Sequence, residues 1–213
     1  MATRSSFAQH GMDKKLDSYF GLTRGFFIEV GANDGVKQSN TLYFEKYLGW
    51  SGLLIEPIPA LAKKCRKNRP NCIVENAALV SFAYPEKSIT LTYCGLMSVV
   101  AGYRVDEEKF LKSGRRFLKK GDVTHNISVS AKPLSDILDH YGLQKIDFLS
   151  LDVEGYEPEV LRGVDFKKHI ICWILIEARD EKEIESIIGE WYELFAILSS
   201  HENYNNALYK RRN

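Results

Sequence analysis

The chain has 213 residues, with 29 Lys and Arg against 28 Asp and Glu and a net charge of +1. That length suits one sizeable α/β domain and is short for two, and so balanced a charge gives no bulk attraction to nucleic acid or to an anionic membrane. The longest apolar runs, such as Ile170 to Ile176, fall far short of the ~20 residues a membrane span needs. Arg4, Gln9, His10 and Asp13 stand where a secretion signal would be apolar, so a cytoplasmic protein without a transmembrane segment is expected. Cys65, Cys72, Cys94 and Cys172 form no C-x-x-C pair and read as reduced structural thiols.

The first strand is predicted over Gly25 to Val30 and runs into the turn Gly31-Ala32-Asn33-Asp34-Gly35. Glycines at a strand tip let the backbone approach a ligand closely, although a tight strand-to-helix turn would use them too. A helix is predicted over Thr41 to Leu48, then a strand over Gly52 to Ile55 that ends in Glu56-Pro57. A carboxylate at that place in an α/β sheet meets a ribose and accepts hydrogen bonds from both its hydroxyls. The turn lacks the G-x-G-x-x-G spacing that a pyrophosphate requires, so the expected ligand is a nucleoside without phosphates. S-adenosylmethionine fits, with its amino acid end held by turn amides and by acidic side chains such as Glu29 and Asp34.

A helix over Ala60 to Asn68 and a strand over Cys72 to Glu75 come next. Two β-like runs, Ile89 to Cys94 and Asn126 to Ala131, then flank an insertion at about 102–125. It carries Arg104, Lys109, Lys112, Arg115, Arg116, Lys119 and Lys120 against Asp106, Glu107, Glu108 and Asp122. Two readings stay open: a solvated charged segment, or an acceptor lid whose cations meet a phosphate or a polyhydroxylated ligand.

After a helix over Leu134 to Tyr141, a strand over Ile146 to Leu151 ends in Asp152-Val153-Glu154-Gly155-Tyr156-Glu157. Like charges so close imply a cation, a shared proton or exposure to water, and a sulfonium is one such cation. Asp152, at the strand tip, is expected in the ligand crevice. Glu157, before Pro158, reads as negative charge at the start of the next helix, Pro158 to Gly163. A strand over Cys172 to Glu177 and a helix over Glu181 to Trp191 lead to two closing strands, Leu194 to Ser199 and Ala207 to Arg211, around the turn His201 to Asn206. The alternation predicts one domain over 1–213: a mainly parallel sheet with helices on both faces, finished by an antiparallel hairpin.

The ordered set of Phe27 to Gly35, Ser39-Asn40-Thr41, Gly49 to Pro57, Asn68-Arg69-Pro70, Asp147 to Glu157 and Val160 to Gly163, preceded by Phe7 to Lys14 as an entry helix, resembles the FkbM-type S-adenosylmethionine-dependent methyltransferases. The resemblance implies a Rossmann-like Class I methyltransferase fold. It implies cofactor contacts from Glu29, Gly31, Ala32, Asn33, Asp34, Gly35 and Asn40 on one side, and from Glu56, Pro57, Asn76, Ala77 and Asp152 on the other. It implies O-methylation of a sugar, an antibiotic scaffold or a lipid. The compactness of the chain resembles viral or bacterial modules that work with glycosyltransferases, which points to a glycan acceptor bearing a deoxyhexose such as rhamnose or fucose.

Candidates for the catalytic base are Asp152, Glu154, Glu177 and His201, of which His201 titrates nearest neutrality. Asp152, Glu177 and His201 converging on a divalent ion is the alternative. Tyr204, beside His201 and Asn203, suits stacking on a sugar face. Two other functions stand beside this one: a catalytically silent binding module, and methylation of a small molecule that is not a sugar. A nicotinamide enzyme would need a phosphate-cradling glycine turn and a Tyr and Lys pair that the chain lacks at any credible place.

Overall fold

A computed structural model describes residues 4–103, 107–118 and 120–212. Of the predicted insertion, Arg104, Asp106 and Lys119 and the side chain of Lys109 lie outside the described residues.

In chain order the elements are α1 (Met12–Phe20), β1 (Phe26–Val30), α2 (Leu42–Leu48), β2 (Ser51–Ile55), α3 (Pro59–Asn68), β3 (Ile73–Glu75), β4 (Ala78–Leu79), β5 (Ser88–Tyr93), β6 (Val99–Val100) and α4 (Glu107–Gly114). They continue with β7 (His125–Lys132), α5 (Leu134–His140), β8 (Lys145–Leu151), α6 (Glu157–Leu161), β9 (Ile170–Ala178), α7 (Glu181–Ile188), β10 (Tyr192–Ser200) and β11 (Asn205–Arg211). The main sheet has seven strands in the order β3-β2-β1-β8-β9-β11-β10. Its first five strands pair in parallel, and β11 runs antiparallel to both β9 and β10. This is the predicted arrangement, closing hairpin included.

Alternation along each central strand explains why both faces are covered. Ile28 and Val30 of β1, Leu149 and Leu151 of β8 and Ile174 and Ile176 of β9 point to one face, where they meet Leu134, Ile137, Val160, Leu161, Ile184 and Ile188 of α5, α6 and α7. Phe27, Leu54, Phe148 and Leu175 point to the other, against Met12, Leu16 and Phe20 of α1 and Tyr43 and Phe44 of α2. Burying each such side chain contributes about 1.5–3 kcal/mol. Gly52 has a packing reason to be glycine in a central strand: a Cβ there would lie 2.1 Å from the ring of its neighbour Phe27.

The chain between β3 and β8 builds a second sheet of four strands, β4-β7-β5-β6. Its β5 and β7 are the two predicted runs, paired antiparallel from Ser88 with Ser130 to Tyr93 with His125. Carried on this sheet, α4 is fastened by Glu107, whose carboxylate accepts hydrogen bonds from Thr92 Oγ1 at 2.9 Å and from Gly102 N at 2.7 Å. Among the described residues no helix is long and apolar enough to cross a membrane.

Candidate active site

A cavity of about 670 Å³ opens where β1, β2, β8 and β9 end, between the main sheet and the insertion. Parallel strands direct their carboxyl ends to one side of the sheet, so the residues just after them share one crevice. Two of the strand tips touch. Asp152 N donates to Val30 O at 3.3 Å, and a Cβ on Gly31, whose φ is +81°, would lie 2.1 Å from Asp152 O. Only glycine admits both that φ and that approach.

Glu29 and Glu56 divide the work on the β1–β2 side. Glu29 is buried and fully engaged: it accepts hydrogen bonds from Asn40 N (2.8 Å), Ser39 Oγ (2.8 Å) and Thr41 Oγ1 (2.6 Å). Behind it lies Arg69, wholly buried, which is 3.8 Å from Glu29 Oε2, pairs with Glu45, and donates to Gly35 O, Ser39 Oγ and Thr41 Oγ1. Glu29 therefore fixes the loop at 39–41 beside the cavity.

Glu56 accepts one backbone N–H on each oxygen, from Asn33 and from Ile58, both at 2.8 Å. Each oxygen keeps a lone pair for a ribose hydroxyl. Burial pushes Glu56 up to about 7 against the pull of those two N–H groups.

On the β8–β9 side, carboxylate oxygens of Asp152, Glu154 and Glu177 lie within 4.8 Å of one another. Their partner is Arg179, just beyond β9: its Nη2 serves Glu154 at 2.9 Å and Glu177 at 2.6 Å. The guanidinium lies 5.4 Å from the ring of Phe110 in α4 and 5.3 Å from that of Tyr204. Asp152 lines the cavity and is exposed to solvent there. Desolvation raises its pKa, and the charge of Arg179 opposes the rise. Glu177 is held well above the usual carboxylate range, first by burial and then by Asp152 and Glu154, with Arg179 again opposing. Burial and like charges favour the protonated form of Glu177, and the ion pair with Arg179 at 2.6 Å favours the ionised one.

Expected site residues separate into two groups. Glu29, Gly31, Ala32, Asn33, Asn40, Glu56, Pro57, Ala77, Asp152, Glu154 and Glu177 all line the cavity. Asp34, Gly35, Asn76 and His201 stand behind its wall. Asp34 caps its own turn by accepting from Val36 N and Lys37 N, and Asn76 secures the carbonyls of Glu56 and Pro57 at 2.8 Å each. His201 closes the β10–β11 turn, its ring stacked 4.5 Å from Tyr204 and 5.2 Å from His10. In the carboxylate cluster the third ligand atom comes from Glu154 rather than His201, and a guanidinium already engages two of the three carboxylates.

Four of the turn's five amides bond inside the fold: Gly31 N and Ala32 N donate to Ile55 O, Gly35 N to Ala32 O and Asn33 N to Glu56. Tyr204 lines the cavity, with the imidazole of His201 stacked on its ring and the guanidinium of Arg179 5.3 Å from its centroid. Arg179 and Arg69 escaped assignment. A signal existed for Arg179: it follows Glu177 by two residues, the spacing that puts two side chains on one face of a strand.

Glu157 is a scaffold residue. Its Oε1 accepts Val153 N at 2.9 Å and Gly155 N at 3.1 Å, shaping the turn after β8, and burial pushes it up to about 7. A folded-state value above the ordinary 4.5 means that its contribution is complete below about 4.5 and is lost as pH rises through about 7. Glu157→Gln keeps the accepting oxygen and cannot ionise. It is expected to melt with the parent at pH 4.5 and to exceed it at pH 8 by about 1–3 kcal/mol. A gap that did not widen between those pH values in thermal melts would refute this account.

The comparisons agree with this geometry. Residues 29–208 match the Methyltransferase FkbM domain. Methyltransferase 1 of Beauveria bassiana is 29% identical over 166 residues, covering 74% of this chain and 66% of that protein. Methyltransferase sdnD of Sordaria araneosa is 30% identical over 170 residues, covering 66% of this chain and 60% of that protein. The chain thus spans somewhat under two thirds of the length of these relatives. Among solved structures, precorrin-6y C5,15-methyltransferase from Geobacter metallireducens aligns with a TM-score of 0.50 at 14% identity, over 100% of this chain and 94% of that one. The human methyltransferase 10 domain containing protein aligns with the same TM-score at 12% identity, over 99% and 85%. Likeness at that identity speaks for the fold alone, while the domain match covers most of the sequence, so the chain belongs to the FkbM methyltransferase domain family and carries an S-adenosylmethionine-dependent methyltransferase domain of the Class I fold.

Proposed function

We propose that this domain transfers the methyl group to a hydroxyl oxygen of a sugar on a glycan or glycoconjugate, a deoxyhexose such as rhamnose or fucose. The observation that carries the reading is the cluster of Asp152, Glu154 and Glu177 across the cavity from Glu56. Several carboxylates side by side accept hydrogen bonds from neighbouring hydroxyls, which is how a polyol is oriented. When bound, S-adenosylmethionine supplies the methyl carbon, whose bond to sulfur breaks with its electrons kept by sulfur as the acceptor oxygen attacks in line.

Glu56 would hold the ribose, Asp152 would face the positive sulfur, and Glu177, in its ionised form beside Arg179, would take the hydroxyl proton. Arg179 holds Glu177 in place. Orientation accounts for most of the acceleration, ~7–11 kcal/mol, and a general base adds roughly 10²–10⁴-fold. Action in the cytoplasm beside glycosyltransferases agrees with this assignment.

The test is mass spectrometry of rhamnosides and fucosides incubated with the protein and S-adenosylmethionine. Gain of one methyl on the sugar is expected. Methyl transfer to RNA or protein, with none to any sugar, would overturn the acceptor class and leave the cofactor site standing.

A further inference from the structure

We propose that the insertion provides a second subsite, for an uncharged apolar group attached to the acceptor, so that the natural acceptor is amphipathic. The inference rests on the sugar reading for the reactive end and extends it to the rest of the molecule. Its ground is the chemistry of the insertion's two faces.

Leu96, Met97, Phe110 and Phe117 line the cavity from above. Phe110 is beside the carboxylate cluster rather than beside the ribose, as its contact with Arg179 shows. The lid is packed in its own right. A Cβ on Gly114 of α4 would meet Cys94 Sγ at 2.9 Å and Met97 Cβ at 3.0 Å, so this apolar surface is held in shape. The cations face elsewhere: Lys112, Arg115 and Lys120 are exposed and do not line the cavity. Arg116 alone among the described lid cations lines it, with its guanidinium 4.8 Å from the ring of Phe117.

Charge settles what kind of group enters. Beside the carboxylate cluster a phosphorylated acceptor meets three carboxylates against Arg179, and of the described lid cations only Arg116 lines the cavity. Removing an apolar group from water under Met97 and Phe117 is favourable. The volume allows both ligands, since about 670 Å³ lies well inside the roughly 300–1,000 Å³ typical of small-molecule sites. The occupant is therefore the aglycone or hydrocarbon portion of a glycoside, beside the sugar and continuous with it.

The probes are methyl and hexyl α-L-rhamnopyranoside and the matching pair of glucosides, titrated calorimetrically into the protein saturated with S-adenosylhomocysteine. Methyl transfer to the same compounds is followed in parallel. The hexyl compounds are expected to bind at least about tenfold more tightly than the methyl ones, with a more negative heat-capacity change. Met97→Ser should shrink that gain. Equal affinity of methyl and hexyl compounds for every sugar would overturn the subsite, even if the sugar is methylated, and so would absence of binding by all four. A hexyl gain without methyl transfer to any sugar sustains the subsite and removes the sugar reading instead.

Discussion

Glu56→Ala is expected to weaken S-adenosylhomocysteine binding by roughly ten- to a hundredfold, the ~1.5–3 kcal/mol of hydrogen bonds to a charged acceptor. Each oxygen of Glu56 already takes one backbone N–H and turns its remaining lone pair to the cavity, so two ribose hydroxyls find acceptors without rearrangement. The same residue makes binding depend on pH. Burial holds Glu56 at about 7, and two donating hydroxyls favour its ionised form. Affinity should therefore climb about tenfold between pH 6 and pH 8 and level off above. Glu56→Gln should flatten that climb. Calorimetry across this range decides the matter: an affinity for S-adenosylhomocysteine that ignores both the substitution and the pH would remove Glu56 from the site, and binding of NAD in its place would overturn the cofactor assignment.

Asp152→Asn should lower turnover roughly a hundredfold, within the range a general base contributes, while the thermal midpoint holds or rises. The side chain faces the cavity, so asparagine preserves the shape and relieves repulsion from Glu154 and Glu177. What is lost is the negative charge of Asp152 beside the place a sulfonium would take, and with it the attraction that favours the charged methyl donor there. Steady-state rates on a rhamnoside, read beside a melting curve, separate this from misfolding. Turnover equal to the parent's would end the assignment.

The parallel sheet was legible because its strands are continuous apolar runs stopped by Gly31, Glu56 and Asp152, and because strand tips in such a sheet have one place to go. The shortest elements were not. Val99–Val100 and Ala78–Leu79 are too brief to show a period, and they become strands through pairing with β5 and β7. α4 is hidden in a run of mixed charge whose apolar members, such as Phe110, face the cavity. Of the candidate bases, Asp152, Glu154 and Glu177 line the cavity and His201 does not: residue type does not determine where a turn directs a ring, and stacking on Tyr204 does. The glycines after β1 likewise read as a close approach to a ligand. At Gly31 the answer is the neighbouring strand tip.

Glu29 and Arg69 also bear on the thermodynamics of association. Because three donors converge on Glu29 and a buried guanidinium braces them, the loop at 39–41 gives up its conformational freedom during folding rather than when a ligand arrives. Ligand association then carries little ordering entropy. Affinity then depends in part on Arg69, a side chain sealed from solvent, so substitutions there would register as weaker binding at a distance from any ligand atom.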